Sequence, residues 1–319
     1  MLVYWFIPIL IVLVFIAIAG SSLYFYHIAV ARSDKSFLSR NPDLEIDPGG
    51  DQGNASESPF AANEAWWNRQ VFADWSIRSD EGFTLRAYYL TADRPTNKTA
   101  ILAHGYSGQA NQMASLVEVY QQSLGYNVLI PDARGHGRSD GTYIGFGWPE
   151  RKDYVKWIDE VIRRTGDETQ IVLHGVSMGA ATVMMASGER LPSNVKAVVE
   201  DCGYTSVKDQ LAYQLNRMYR MPAFPMIPAT SLLTKLRAGY SFQEASALAQ
   251  VKKSNIPTLF IHGDADTFVP TRMVHELYAS SPADKKLFVV HGAGHGLARF
   301  NDPAAYDREV AQFIGHYVK

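Results

Sequence analysis

The sequence predicts an α/β fold with a mostly parallel central sheet covered by helices on both faces. Three observations lead there. From residue 71 onward, short β-rich runs alternate with longer helical stretches, the pattern of β and α units wound into one layered domain. The 319 residues are 47% hydrophobic, ample for a buried core of that size. No internal repeat of fixed period is present, which sets aside solenoids and propellers.

The elements follow in order. From Leu2 to Tyr26 no side chain carries a formal charge, and Ile7 to Ile18 is almost entirely aliphatic. At about 1.5 Å per residue such a run spans the roughly 30 Å hydrocarbon core of a bilayer as one helix. Tyr4, Trp5, Tyr24 and Tyr26 sit near its ends, where amphipathic rings favour the headgroup region. Residues 1–30 are therefore expected to form a single-pass membrane anchor that contacts lipid. A cleaved signal peptide is the rival, since Ala17-Ile18-Ala19 and Ala29-Val30-Ala31 have the small-x-small form of a cleavage site, but no Lys or Arg precedes the apolar run. Arg32, Lys35 and Arg40 follow the helix, too few charges to fix which side the rest of the chain occupies.

Residues 31–58 turn polar and rich in Asp, Gly, Ser, Asn and Pro, and are expected to be a linker to a domain over 59–319. Trp66 and Trp67 lie in a short helix-like stretch, Ala61 to Arg69, expected to pack on that domain. Val71 to Ile77 and Phe83 to Leu90 read as two strands joined by a hairpin at Asp80-Glu81-Gly82. Further strands are expected at Thr99 to Ala103, Val128 to Ile130, Gln170 to Leu173, Val195 to Val199, Thr258 to Ile261 and Lys286 to Val290. The stretch of about 203–251 breaks the rhythm. Its Met218, Tyr219, Met221, Pro222, Phe224, Pro225, Met226 and Pro228 are too proline-dense for a central strand and too apolar for a solvated loop, which suits a small helical cap over an apolar cleft.

Composition narrows the function classes. With 30 basic and 32 acidic residues the formal net charge is -2, and no compact basic cluster stands out, so no nucleic-acid partner is expected. The single cysteine, Cys202, rules out an intramolecular disulfide. Beside Asp201 at a strand end its thiol is a poor nucleophile and is expected to serve packing. No group of His, Cys, Asp and Glu has persuasive metal-ligand spacing, and neither a metal nor an organic cofactor is expected.

The strongest local signal is Gly175-Val176-Ser177-Met178-Gly179, set between the strand ending near Leu173 and a helix-compatible run, Ala180 to Glu189. A serine on a sharp strand-to-helix turn is thrust out of the sheet, and glycines on both sides let the backbone turn without clash. A serine hydroxyl is a weak nucleophile at neutral pH and needs a base, and the base needs an orienting group. Two downstream strands supply candidates. One runs into His262-Gly263-Asp264-Ala265-Asp266, the other into His291-Gly292-Ala293-Gly294-His295, so either aspartate and either of the two last-named histidines could serve.

In these motifs, and in their order Ser, Asp, His, the chain from about Val71 to its C terminus resembles the α/β-hydrolase superfamily. It is most similar to bacterial serine hydrolases related to the serine aminopeptidase and acylglycerol lipase group. The resemblance implies an α/β-hydrolase fold with Ser177 as nucleophile, Asp266 as acid and His295 as base. In the family the acid sits three positions after the glycine of this turn, which selects Asp266 over Asp264; His291 falls at the strand end rather than in the loop. His104-Gly105-Tyr106-Ser107-Gly108 resembles the family's His-Gly loop, which implies that the Tyr106 backbone NH joins the Met178 backbone NH as oxyanion donors. Asp132-Ala133-Arg134-Gly135-His136-Gly137-Arg138-Ser139 resembles another common loop, with an architectural role. The expected activity is hydrolysis of a small-molecule carboxylic ester with an apolar acyl or aryl group. Amide, peptide or thioester cleavage by the same residues is the alternative, and a ligand-binding protein of weak turnover is the alternative of another class. A form starting near Ser58 is expected to be soluble and active.

Overall fold

The structure, a computed structural model, describes residues 2–36, 38, 41, 43–44 and 64–319. Most of the expected linker, 45–58, lies outside the described residues, as do the first positions of the Trp-bearing stretch.

The chain enters through helix α1, Leu2–Phe25, which continues as a π-helical turn over Tyr26–Val30. Its apolar side chains from Phe6 to Ile16 are exposed, and the run from Phe6 to Val30 is long and apolar enough to cross a membrane. After a helical turn at 64–67, Trp67 packs against Phe72 and Tyr88.

Eight strands follow: β1 Ala73–Arg78, β2 Thr84–Leu90, β3 Lys98–Ala103, β4 Asn127–Pro131, β5 Gln170–Val176, β6 Val195–Asp201, β7 Thr258–Gly263 and β8 Lys285–Val290. They form one sheet in the order β1-β2-β4-β3-β5-β6-β7-β8. β2 runs antiparallel to both neighbours, and β3 to β8 are parallel. Each parallel pair demands a crossover, and the intervening sequence is long enough to cross as a helix each time. The interior strands β3 to β7 are almost wholly buried and rich in Val, Ile, Leu and Ala because both faces are covered, while the edge strand β8 is only partly buried. At the β1–β2 hairpin the Ser79 NH donates to the Phe83 carbonyl, and Gly82, with φ of 84°, permits the reversal.

The remaining helices are α2 Ala114–Glu118, α3 Glu150–Thr165, α4 Met178–Ser187, α5 Val207–Tyr219, α6 Ala223–Ala238, α7 Ala247–Val251, α8 Arg272–Ser280, α9 Ala298–Asn301 and α10 Pro303–Tyr317. Every residue of α4 is buried, consistent with its Met, Ala and Val content and its place behind the central strands. α10 starts on Asp302, whose side chain accepts from the Ala305 NH, with Pro303 at the first turn where its missing NH costs nothing. The proline-dense segment folds as α5 and α6, with non-helical backbone at Phe224.

Residues 31–35, expected as the start of a linker, are fastened to the domain instead. Ala31 bridges Tyr143, the Arg32 NH donates to the Thr142 carbonyl, and the Arg32 guanidinium donates to the carbonyls of Ser139 and Gly137. Further on, Asp43 pairs with Arg217 of α5. Tyr26 and Val30 lie in the same buried cluster as Tyr143, Ile144 and Phe146, so the end of α1 is part of the core. A polar, glycine-rich composition reads as a tether; here the extended backbone finds edge partners that composition does not reveal.

Candidate active site

Ser177, Asp266 and His295 each follow the carboxyl end of a parallel strand, β5, β7 and β8 respectively, the edge at which open α/β sheets place their sites. Ser177 has φ 57° and ψ -116°, outside the ordinary allowed regions, and its NH donates to the Asp201 carbonyl. The flanking glycines have steric reasons. A Cβ on Gly179 would overlap the Ala103 carbonyl of β3, and one on Gly175 would overlap the backbone of Gly179. The strained turn therefore exists only because two positions carry no side chain.

Folding brings Ser177 Oγ within 2.8 Å of His295 Nε2, and His295 Nδ1 within 2.7 Å of Asp266 Oδ2. A carboxylate only accepts, so His295 Nδ1 carries the proton and Nε2 is left to accept the serine hydroxyl. Asp266 Oδ1 accepts from the NH groups of Phe268 and Val269. Burial works to raise the Asp266 pKa, but the charge of His295 and the hydrogen bonds from His262 and His295 outweigh it and hold the carboxyl well below its usual range. The rivals pair with each other. His291 Nδ1 lies 2.7 Å from Asp264 Oδ2, and the His291 side chain is 98% exposed, at the surface.

Gly105 lies next to the nucleophile, since a Cβ placed on it would stand 3.5 Å from that of Ser177. The loop bearing Tyr106 thus passes beside the serine, and Met178 opens α4 immediately after it. His104 is buried, with Nδ1 2.8 Å from the Gly105 carbonyl, so Nδ1 donates and Nε2 accepts the Ala133 NH at 3.0 Å. It ties two loops together. Arg134, also buried, donates twice to Asp153 and once to Tyr143, and Asp132 accepts from the NH groups of Ala110 and Arg138. Both act as architecture.

Sequence reasoning missed a buried acidic and histidine layer beneath the three residues. His262 Nε2 lies 2.9 Å from the Val269 carbonyl and 3.2 Å from Asp266 Oδ2, so its proton is shared between two acceptors and steadies the turn that presents Asp266. Glu200 is fully buried; burial is the main cause that pushes its carboxyl up to about 8. Burial likewise raises Asp201 to about 6, against the hydrogen bond from Tyr306. His262 stands in the motif that carries Asp266, but Glu200 lies in a strand interior with no motif around it. Cys202 is buried, and burial together with Asp201, Asp266 and Glu200 raises its thiol well above the usual value. Its sulfur, Asp266 and His295 offer atoms within 4.8 Å of one another. Because Asp266 and His295 already satisfy each other and the thiol stays protonated, this trio is ill suited to a metal.

Ser177 opens into a cleft enclosing about 920 Å³, its open mouth included. α5 and α6 supply Leu211, Leu215, Met226 and Ile227, the sheet side supplies Tyr106 and Phe146, and no charged side chain lines it among the described residues. Phe25, Ile28 and Ala29 at the end of α1 also face it.

The sequence profile of the α/β hydrolase family matches residues 100–309. The uncharacterized protein YqkD of Bacillus subtilis is 31% identical over 75% of this chain and 77% of its own length. The uncharacterized membrane protein YNL320W of Saccharomyces cerevisiae is 22% identical over 67% of this chain and 69% of its own. Among solved structures, the Pyrococcus furiosus esterase Pf2001 superposes with a TM-score of 0.63 at 22% identity, covering 81% of this chain and 94% of that one. Est1E from Butyrivibrio proteoclasticus, solved with ferulic acid bound, superposes at 0.57 and 20% identity, covering 76% and 99%. These likenesses agree with the sheet order and with the eight-stranded, mostly parallel architecture: the chain belongs to the α/β hydrolase family.

Proposed function

We propose that this hydrolase is a membrane-anchored serine esterase that cleaves carboxylic esters with an apolar acyl or aryl group through an acyl-enzyme on Ser177. The observation that carries the reading is the hydrogen-bonded line Ser177, His295, Asp266 at the floor of an uncharged, apolar cleft. His295 Nε2 takes the proton as Ser177 Oγ bonds to the ester carbonyl carbon, and the carbonyl oxygen becomes an oxyanion facing the backbone NH groups of Met178 and Tyr106. Collapse of that intermediate breaks the bond to the alkoxy oxygen, which leaves with the proton from His295. Water then enters, gives its proton to His295, attacks the acyl carbon, and the carboxylic acid departs as Ser177 regains its proton. Asp266 holds the imidazole in the tautomer both halves need. An uncharged cleft favours an ester over a peptide, because among the described residues that line it none carries a charge to pair with a peptide's charged ends. The apolar helix α1, with its exposed side chains, is the anchor that keeps the site at a membrane.

The test is labelling of the full chain, in nanodiscs, by a fluorophosphonate probe, with turnover of p-nitrophenyl esters, thioesters and anilides of matched acyl groups. Labelling and ester turnover are expected in the wild type and absent in Ser177→Ala and His295→Ala. A folded wild type that neither labels nor turns over any of the three substrates overturns the reading in favour of a ligand-binding role. Faster turnover of the anilide or thioester reassigns the leaving group.

A further inference from the structure

The end of α1 does more than leave a membrane. A helix ends with carbonyls that have lost their internal partners, and in apolar surroundings these must be capped. Here the caps come from the active-site loop and from the segment just beyond the helix. The Tyr106 hydroxyl donates to the Ala29 carbonyl at 2.8 Å and reaches that of Ile28 at 3.2 Å. The Lys35 ammonium donates to Ile28 at 2.6 Å and Ala31 at 2.8 Å, and sits 5.6 Å from the centre of the Tyr106 ring. On the next turn the Ile144 NH donates to the Val30 carbonyl, and Phe146 stacks on Tyr106. Tyr106 is the residue whose backbone NH faces the oxyanion in the reading above. Phe25, Ile28 and Ala29 meanwhile line the same cleft as Ser177, and the Phe25 ring packs edge-to-face on Tyr219 of α5. α6, which packs along α1, exposes Phe224, Leu232 and Leu236. The cleft is thus walled on one side by the cap helices and on another by the anchoring helix.

We propose that the end of the N-terminal helix is a working part of the active site. Phe25, Ile28 and Ala29 form the wall that measures the acyl chain, the Ile28 and Ala29 carbonyls position the Tyr106 loop through its hydroxyl, and the substrate is a long-chain acyl ester whose chain lies along the helix. This rests on the serine-esterase reading. In it Ile28 and Ala29 determine specificity, and the Tyr106 hydroxyl positions a donor without touching the reacting atoms.

The experiment uses the full chain in nanodiscs with p-nitrophenyl esters from butanoate to palmitate, each variant first shown to label at Ser177 with fluorophosphonate. The wild type favours the longer acyl chains. Ala29→Trp fills the wall and lowers kcat/KM for long chains relative to butanoate by tenfold or more, since each methylene kept in water loses roughly fourfold. Ile28→Ala widens the wall and moves the optimum to longer chains, an opposite shift that a folding defect does not produce, and it decides the matter if Ala29→Trp fails to label. Tyr106→Phe lowers kcat at every chain length while the chain-length profile and KM hold. Wild-type profiles in both wall variants, with Ser177 still labelled, overturn the wall while leaving the esterase reading intact. Absence of labelling in the wild type sinks that reading first, and the inference with it.

Discussion

Replacing Asp266 by asparagine separates the two acid–histidine pairs that the fold places side by side. The introduced carboxamide has one orientation that keeps the backbone bonds of the native side chain: its oxygen must take the place of Asp266 Oδ1, which accepts from Phe268 NH at 2.9 Å and Val269 NH at 2.8 Å. The amide NH₂ then points at His295 Nδ1 and donates to it. His295 is forced to carry its proton on Nε2, where it faces Ser177 Oγ as a donor and cannot receive the serine proton. A wrong tautomer in an otherwise intact site costs on the order of 10⁴-fold in kcat, or about 5.4 kcal/mol of transition-state stabilisation. Asp264→Asn can keep its oxygen on the Gly292 NH that Asp264 Oδ1 accepts, removes an acceptor from the solvent-exposed His291, and should change turnover by less than about twofold. The assay is kcat and KM on a short p-nitrophenyl ester at pH 7.5, with thermal melts to show that both variants are folded. Equal losses in the two variants, or retention of more than about a tenth of wild-type kcat in Asp266→Asn, would refute the assignment and the tautomer argument beneath it.

Two further outcomes follow from buried groups. Glu200 has its pKa pushed up to about 8 by burial, so between its unfolded value and that point the native state binds more protons than the unfolded chain, and stability falls as pH rises. Glu200→Gln should flatten this slope, which reaches at most about 1.4 kcal/mol per pH unit between roughly pH 5 and 8; urea melts across that range check it, and an unchanged slope counts against the buried carboxyl as its source. Truncation is the other. Against the expectation that a form starting near Ser58 is soluble and active, removal of residues 1–57 uncovers the cluster that Tyr26 and Val30 complete and takes from the Tyr106 hydroxyl the Ala29 and Ile28 carbonyls it donates to, whereas removal of 1–20 leaves both in place. Size-exclusion profiles with fluorophosphonate labelling should show the longer deletion aggregated or unlabelled and the shorter one intact; equal behaviour of the two removes the end of α1 from the folding unit.

The sheet was legible residue by residue because its signal is local. Runs such as Gln170 to Leu173 and Thr258 to Ile261 are apolar on both faces, and only a strand covered twice needs that composition. β1 and β2 begin two and one residues later than expected, while the parallel strands extend outward, β5 and β6 by three and two residues at their carboxyl ends, since glycine and acidic residues can stay in a ladder when the neighbouring strand continues. The serine turn was equally visible: its glycines are demanded by contacts within a few residues and with β3. The proline-rich excursion was recognisable as an interruption and as a helical cap, but the bounds of its helices were not, because Pro228 and the irregular backbone at Phe224 mask the periodicity of α6.

The sequence by itself determined the architecture and singled out Ser177 as the candidate nucleophile, for both are written in patterns that span fewer than a dozen residues. The family resemblance singled out Asp266 and His295, whereas the residues alone left two aspartates and two histidines open; the tertiary structure brings Asp266 and His295 to Ser177 and pairs Asp264 with His291 at the surface, because β7 and β8 aim the two pairs differently. It also decided that the apolar N-terminal helix ends inside the domain. Hydrophobicity records that a segment avoids water and is silent on whether lipid or protein takes water's place, and the hydrogen bonds that settle it, Tyr106 to Ala29 and Ile144 to Val30, join residues 77 and 114 positions apart.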